Sequence, residues 1–269
     1  MPEGHVIFRL AARHAELFAG DKVIAASPQG RFAEGAALLS GSVLSGTESY
    51  GKHLLHHYAG ERTLHVHLGL YGRFTDGAGE PPAPVGQVRL RLTGEAHWLD
   101  LRGPAACEIL TPEETAALRA RLGPDPLRDD ADPEAAYARV RRSSAPLAAL
   151  LLDQSVVAGT GLIFVTEALF RAGLGPRTPG RRLGRPGWDA LWADLVELMR
   201  AAAATGRIDT VHTPHLPEVM GRPPRVDRHG GEVYVYRRAD RPCHACGTAI
   251  RQAPLVGRNL YWCPVCQPE

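Results

Sequence analysis

Two cysteine pairs close the chain: Cys243 and Cys246, then Cys263 and Cys266, with two residues inside each pair and sixteen between the pairs. This is the spacing of a four-cysteine structural zinc site. Four thiolates complete a tetrahedron and leave no open position for water, so one bound zinc ion folds the tail and does no chemistry. A redox dithiol pair is the alternative that spacing leaves open. So small a module cannot bury enough apolar surface by itself, which is why it needs the metal. Between the pairs, residues 250–253 and 259–262 read as the strands of a hairpin, with Gly257 and Arg258 near its turn. The fifth cysteine, Cys107, falls on a predicted strand and reads as a small buried hydrophobe.

The rest of the 269 residues suffice for two ordinary domains. Apolar residues make up 44% and charged residues 22%, the balance of a globular chain. There is no apolar run of about 18 residues, and the start MPEGH lacks the basic patch and apolar core of a signal peptide, so a cytoplasmic protein with no membrane contact is expected. A formal charge of +2 makes any polyanion-binding surface local. Lys22 and Lys52 are the only lysines, so arginine carries nearly all the positive charge.

Val6, Ile7, Leu10, Leu17 and Phe18 share one helical face before Gly20, predicting an opening helix over residues 3–19. From Lys22 to Leu110, short stretches of period-two or β-rich sequence alternate with Gly, Pro and Asp turns, the pattern of an antiparallel sandwich or barrel. Thr111 with Glu114 three residues on opens a helical half, with segments near 112–122, 133–142, 146–157, 161–172 and 187–205. The fold class is therefore α+β and multidomain. The expected division is 1–122 for the β-sandwich, 123–209 for a helical domain, 210–241 for an extended connector and 242–269 for the zinc finger. Residues 123–133, rich in Pro, Gly and Asp, read as a hinge or linker.

Five motifs carry a resemblance. MPEG at the start, Tyr50-Gly51-Lys52-His53, Gly69-Leu70-Tyr71-Gly72, DQSVVAGTG over 153–161 and GRNLYWCPVCQ over 257–267 together resemble the formamidopyrimidine-DNA glycosylase/endonuclease VIII family. The PEG start and the Leu-Tyr pair are more similar to the endonuclease VIII branch. The resemblance implies a bifunctional glycosylase and AP lyase of base excision repair, a monomer acting on damaged duplex DNA, with oxidised pyrimidines as its substrates. It implies that Pro2, exposed by removal of Met1, is the nucleophile. An α-amino group titrates near pKa ~7.7 to 8.0, so a useful fraction is an unprotonated amine at neutral pH, able to attack C1′ and form a Schiff base. Without the other motifs, Pro2 would read as a helix start. Glu3 matches the acid/base that protonates the sugar ring oxygen and shuttles protons in elimination, besides complementing a helix N-terminus. Lys52 matches a lysine on the lesion's sugar and phosphate. Arg258 matches the finger arginine that grips the flanking phosphates. Leu70 and Tyr71 match residues that fill the void left by an everted base, although ordinary strand packing also explains Leu70. Gly69 stands where better-known members carry glutamine.

Residues 145–172 look like the helix-two-turns-helix element, whose turn presents donors to phosphates. The family reads Gly-Asn-x-Tyr at the second turn; this chain reads Gly161-Leu162-Ile163-Phe164, which removes an amide and a hydroxyl. This departure motivates two alternatives: a lesion-binding protein with weak or no turnover, and a glycosylase specialised for bulky or alkylated bases. A zinc-ribbon transcription module would explain the tail alone. A second metal site among His53, His56, His57, His65 and His67 lacks a carboxylate at a supporting spacing, and strand histidines near a DNA groove need no metal.

Overall fold

The computed structural model describes residues 2–227 and 231–268, and the chain divides into two compact units, 1–121 and 122–269. The first unit opens with α1 (Gly4–Phe18), which buries Ile7, Ala11, His14, Leu17 and Phe18. Val6 and Leu10, expected on that face, are half-buried at its margin, while His14 lies at its centre. The strands are β1 (Ile24–Ala26), β2 (Leu44–Tyr50), β3 (His53–Tyr58), β4 (Arg62–His67), β5 (Arg73–Ala78), β6 (Val88–Thr93), β7 (His97–Arg102) and β8 (Ala106–Leu110). They form two antiparallel four-stranded sheets, ordered β1-β6-β7-β5 and β2-β3-β4-β8. Leu54, Leu64 and Val66 of one sheet and Leu90, Leu92, Leu99 and Leu101 of the other join α1 in a single core, which makes the expected sandwich. Between β1 and β2 the chain forms α2 (Ala33–Leu39), a helix within the stretch read as β. The first unit ends with α3 (Pro112–Ala120), whose Thr111–Glu114 capping box is as expected.

The second unit contains α4 (Pro133–Val140), α5 (Leu147–Leu152), α6 (Leu162–Arg171) and α7 (Arg185–Thr205), then β9 (Arg251–Leu255) and β10 (Arg258–Trp262). Residues 123–128, read as part of a hinge, are bonded into this unit. Gly123 N donates to Gln154 O, Ala158 N to Pro124 O, and buried Asp125 caps the amide of Leu127. One core runs from Leu147, Phe164 and Trp188 in the helices to Tyr234, Ile250 and Cys263. Fully buried Glu167 on α6 ties them together, accepting from Thr210 Oγ1 at 2.5 Å and from the amides of Tyr234, Val235 and Tyr236 at 2.7, 2.8 and 2.8 Å. Among the described residues, no helix is long and apolar enough to cross a membrane.

Candidate active site and metal centre

The direction of α1 on the sheet brings the N-terminus to the β2–β3 turn. Gly20 N donates to Leu44 O at the start of β2, and Thr47 Oγ1 in its middle donates to Ala11 O, so helix and strand run antiparallel. Stepping back from Ala11 to Pro2 covers about 13 Å of helix rise, and stepping on from Thr47 to Lys52 covers about 16 Å of strand. Pro2 and Glu3 therefore lie at the end of the sheet that carries Lys52. Glu3 and Lys52 are buried, 5% and 7% exposed, although carboxylates and ammonium groups ordinarily stay in water unless paired. The Glu3 side chain does not cap α1. Tyr50 pairs with His53 across the two-residue turn Gly51-Lys52, and Gly51 has φ +59°, the geometry that turn requires at its first position.

The loop that follows β4 lies at the same end, because His67 at the end of β4 pairs with His53 at the start of β3. Leu70 and Tyr71 project from it, 60% and 83% exposed, so Leu70 is not strand packing. Gly69 has φ +65°, and a Cβ there would stand 2.7 Å from that of Ala105, which explains why glutamine is not at this position.

The histidines are organised across strands. His53 Nδ1 lies 2.8 Å from His65 Nε2, and His65 Nδ1 lies 2.9 Å from a carboxylate oxygen of Glu108 on β8. Glu108 is the partner that linear spacing missed: it is the cross-strand neighbour of His65, forty-three residues away. Burial, with His65, His67, Arg121 and Lys52 nearby, pushes His53 down to about 3, and burial also lowers His65 and His67. His57 bonds Thr63, and His14 Nδ1 lies 3.0 Å from His56 Nε2 under α1. Burial lowers His14 to about 4 and His56 further below its ordinary value. These rings pair off instead of converging on a point. Cys107, half-buried on β8, is a thiol that burial pushes up to about 12.

In the second unit, α5 and α6 are joined by two turns stitched by Gln154. Its amide donates to Leu152 O and Thr160 O, while its carbonyl accepts from Gly159 N. Gly161 is the N-cap of α6, no side chain caps that end, and no acidic residue stands in its first turn. Leu162 packs half-buried against the core, and Phe164 is fully buried. The hairpin forms with its arms extended toward the turn: β9 begins one residue later and ends two residues later than expected, and β10 begins one residue earlier and ends at Trp262 as expected. Its tip is Val256-Gly257, at φ +48° and +68°, and Arg258 is the first residue of β10 rather than the tip.

Within this hairpin's frame the four thiols meet. Cys243 and Cys266 Sγ are 3.9 Å apart, Cys246 and Cys263 Sγ 3.5 Å, and all four lie within 4.8 Å of one another. A tetrahedral ion with metal–sulfur bonds of about 2.3 Å sets its sulfurs about 3.8 Å apart, so the cluster suits a metal ion. It is the one such group of three or more potential ligands among the described residues.

Residues 1–107 match the formamidopyrimidine-DNA glycosylase N-terminal domain, and residues 122–213 match the formamidopyrimidine-DNA glycosylase H2TH domain. An Endonuclease 8 1 of Mycobacterium tuberculosis is 50% identical over 274 residues, spanning 99% of this chain and 100% of the relative. An Endonuclease 8 of Escherichia coli is 32% identical over 240 residues, 85% of each chain. The crystal structure of MutM (Fpg) from Thermus thermophilus aligns with a TM-score of 0.78 at 27% identity, covering 100% of this chain and 99% of that one. The Lactococcus lactis formamidopyrimidine-DNA glycosylase bound to DNA containing an AP site shares the fold, with a TM-score of 0.80 at 22% identity over 99% of this chain and 100% of that one. With both domains matched and a half-identical relative along its whole length, the chain belongs to the formamidopyrimidine-DNA glycosylase/endonuclease VIII family of base-excision-repair DNA glycosylases.

Proposed function

We propose that this chain is a bifunctional DNA glycosylase and AP lyase that removes oxidised pyrimidines from duplex DNA, with the Pro2 nitrogen as its nucleophile. What carries the reading is the antiparallel run of α1 on β2, which brings Pro2 and buried Glu3 to the Lys52 turn. The Pro2 lone pair forms a bond to C1′ as the bond to the damaged base breaks, and the proton shed by the proline nitrogen leaves with the base. Glu3 delivers a proton to the ring oxygen as the C1′–O4′ bond opens, leaving an iminium joined to the enzyme. Loss of the C2′ proton then expels the 3′ phosphate and cuts the strand. Lys52 holds the sugar and phosphate at the lesion, Arg258 the flanking phosphates, and the exposed Leu70 and Tyr71 fill the void in the stack. The amide end of α6, from Gly161 and Leu162, faces a backbone phosphate.

The four cysteines hold one zinc ion, which closes their tetrahedron and acts structurally. The protein works as a monomer in the bacterial cytoplasm, with damaged duplex DNA as its partner. A substrate set extended toward bulkier or alkylated bases is favoured by the small residue at Gly69 and by apolar Leu162, which gives the turn no side-chain donor.

Borohydride trapping on a duplex with one abasic site tests the proposal, alongside Pro2→Gly, Glu3→Gln and a form with a blocked N-terminus. A covalent adduct lost when the amine is blocked is expected. No adduct from a mature protein that binds the duplex would favour lesion binding without turnover.

A further inference from the structure

We propose that Glu108, His65 and His53 form a hydrogen-bonded relay that fixes the tautomer of His53 and so positions Lys52 for the lyase reaction. The chain of bonds dictates the protons. A carboxylate oxygen only accepts, so His65 Nδ1, 2.9 Å from Glu108, carries a hydrogen. His65 is 3% exposed and neutral, which leaves its Nε2 as a lone pair. That lone pair lies 2.8 Å from His53 Nδ1, which therefore carries the next hydrogen. His53, also neutral, is left with an unprotonated Nε2 at the end of the sheet shared with Lys52 and His67. The rings of His53 and His65 stack with centroids 5.0 Å apart, and His53 meets His67 at 5.1 Å, which restricts their rotation.

The arrangement answers an electrostatic need. A buried ammonium is costly, and a second cation beside it costs more. The groups facing the relay are Lys52 on the turn, His67 on β4, Arg121 at the end of α3 and Glu108 on β8. Arg119 of α3 is engaged by Glu48 of β2 at 2.5 Å. Glu108 is the relay's single negative group, and its 55% exposed side chain stands at the solvent end. By bonding His65 it gives the lysine a neighbour that is an acceptor and not a donor. A metal at the same place is disfavoured, because both nitrogens of His65 are already committed. The positioning role rests on the lyase reading given for Lys52; the tautomers do not.

Nitrogen-15 NMR of the imidazoles, together with single-turnover borohydride trapping on abasic duplex, tests the relay in Glu108→Leu, which removes the acceptor, in His65→Phe and in the double variant. Expected in the wild type are two rings with Nδ1–H, His53 and His65, the tautomer that free histidine disfavours. Glu108→Leu is expected to return His53 to Nε2–H and slow trapping about tenfold, the scale of a small misplacement in a reacting group. DNA affinity stays within about twofold, and Glu108→Leu adds nothing in the His65→Phe background. An Nε2–H on either wild-type ring, or wild-type trapping by Glu108→Leu while Lys52→Ala is inactive, overturns the relay. Wild-type trapping by Lys52→Ala would instead remove the lyase reading on which the positioning role rests.

Discussion

Replacing Glu167 by alanine is expected to destabilise the second unit more than any other single change to a charged residue there. The carboxylate is fully buried and accepts four hydrogen bonds: Oε1 takes the amides of Val235 and Tyr236, and Oε2 takes the amide of Tyr234 and the hydroxyl of Thr210. Its charge also offsets the buried guanidinium of Arg238, whose pKa burial pushes down to about 10 and whose charged form Glu167 favours. Alanine orphans three buried amides at about 1–3 kcal/mol each and leaves a buried cation undercompensated. Water entering the gap offsets part of that sum, so the net loss is about 4 kcal/mol, a large share of a typical folding free energy. At about 2–4 °C per kcal/mol for a chain of this size, the melting temperature falls by about 10–15 °C. Glutamine separates the causes. Its carbonyl keeps the two Oε1 amides and its NH2 can donate to Thr210, but that NH2 opposes the Tyr234 amide, for a loss of about 1–3 kcal/mol. Calorimetric melts of the three proteins at pH 7.5 measure this order. An alanine variant within about 3 °C of the wild type, or glutamine as damaging as alanine, would refute the reasoning.

Metal removal should act on the same unit: a strong chelator, or Cys263→Ser, is expected to lower the melting temperature, because Cys243 and Cys263 belong to the core. An unchanged melt in a chelator that demonstrably strips the metal would count against a folding role. Leu162→Asn restores a donor at the first turn of α6 and is expected to tighten DNA binding about ten- to a hundredfold, with a small loss of stability from the half-buried leucine; equal Kd values for the two proteins would mean that no phosphate reaches this turn. Stability should also fall as pH drops from about 6.5 toward 4. The unfolded chain protonates His14 and His56 below 6.5, whereas burial pushes the folded pKa of His14 down to about 4 and holds that of His56 well below 6.5. The folded state thus binds fewer protons in that window and loses about 3 kcal/mol from His14, a loss that levels off below its folded pKa. A His14→Phe, His56→Phe variant melting with the same pH dependence as the wild type would contradict this.

What could be read from the sequence was whatever repeats at a short, fixed interval. Cys243 and its three partners, the helical face around Ile7 and Phe18, and the Thr111–Glu114 box each declare themselves within a few residues or by a known motif spacing. The helix Ala33–Leu39 was hidden because Gly35 and its small neighbours lie among β-rich segments. Gly35 is nonetheless needed there, since a Cβ would stand 2.2 Å from the Phe32 ring. Glu108 with His65, His14 with His56, and Glu167 with Tyr234 were illegible for a different reason. Their separations of 43, 42 and 67 residues follow from strand register and helix packing, which no local periodicity encodes.

Those long-range pairs also explain how a chain with a formal charge of only +2 can be equipped for a polyanion. So little net charge gives weak long-range attraction, so the grip must come from cations placed individually. Near Lys52 the fold gathers His53 and His67, yet burial lowers the pKa of both, so the lysine stands as a discrete charge and not as part of a diffuse cationic cluster. In the second unit many arginines are already engaged by acids, as Arg171 is by Asp194 at 2.6 Å and Arg185 by Glu134 at 2.6 Å. Counting basic residues therefore overstates what remains for phosphate. On this argument, replacing an internally paired arginine such as Arg171 should change stability while leaving the salt slope of DNA binding where it was. Replacing Arg258, for which no acid partner is described, should lower that slope by about one.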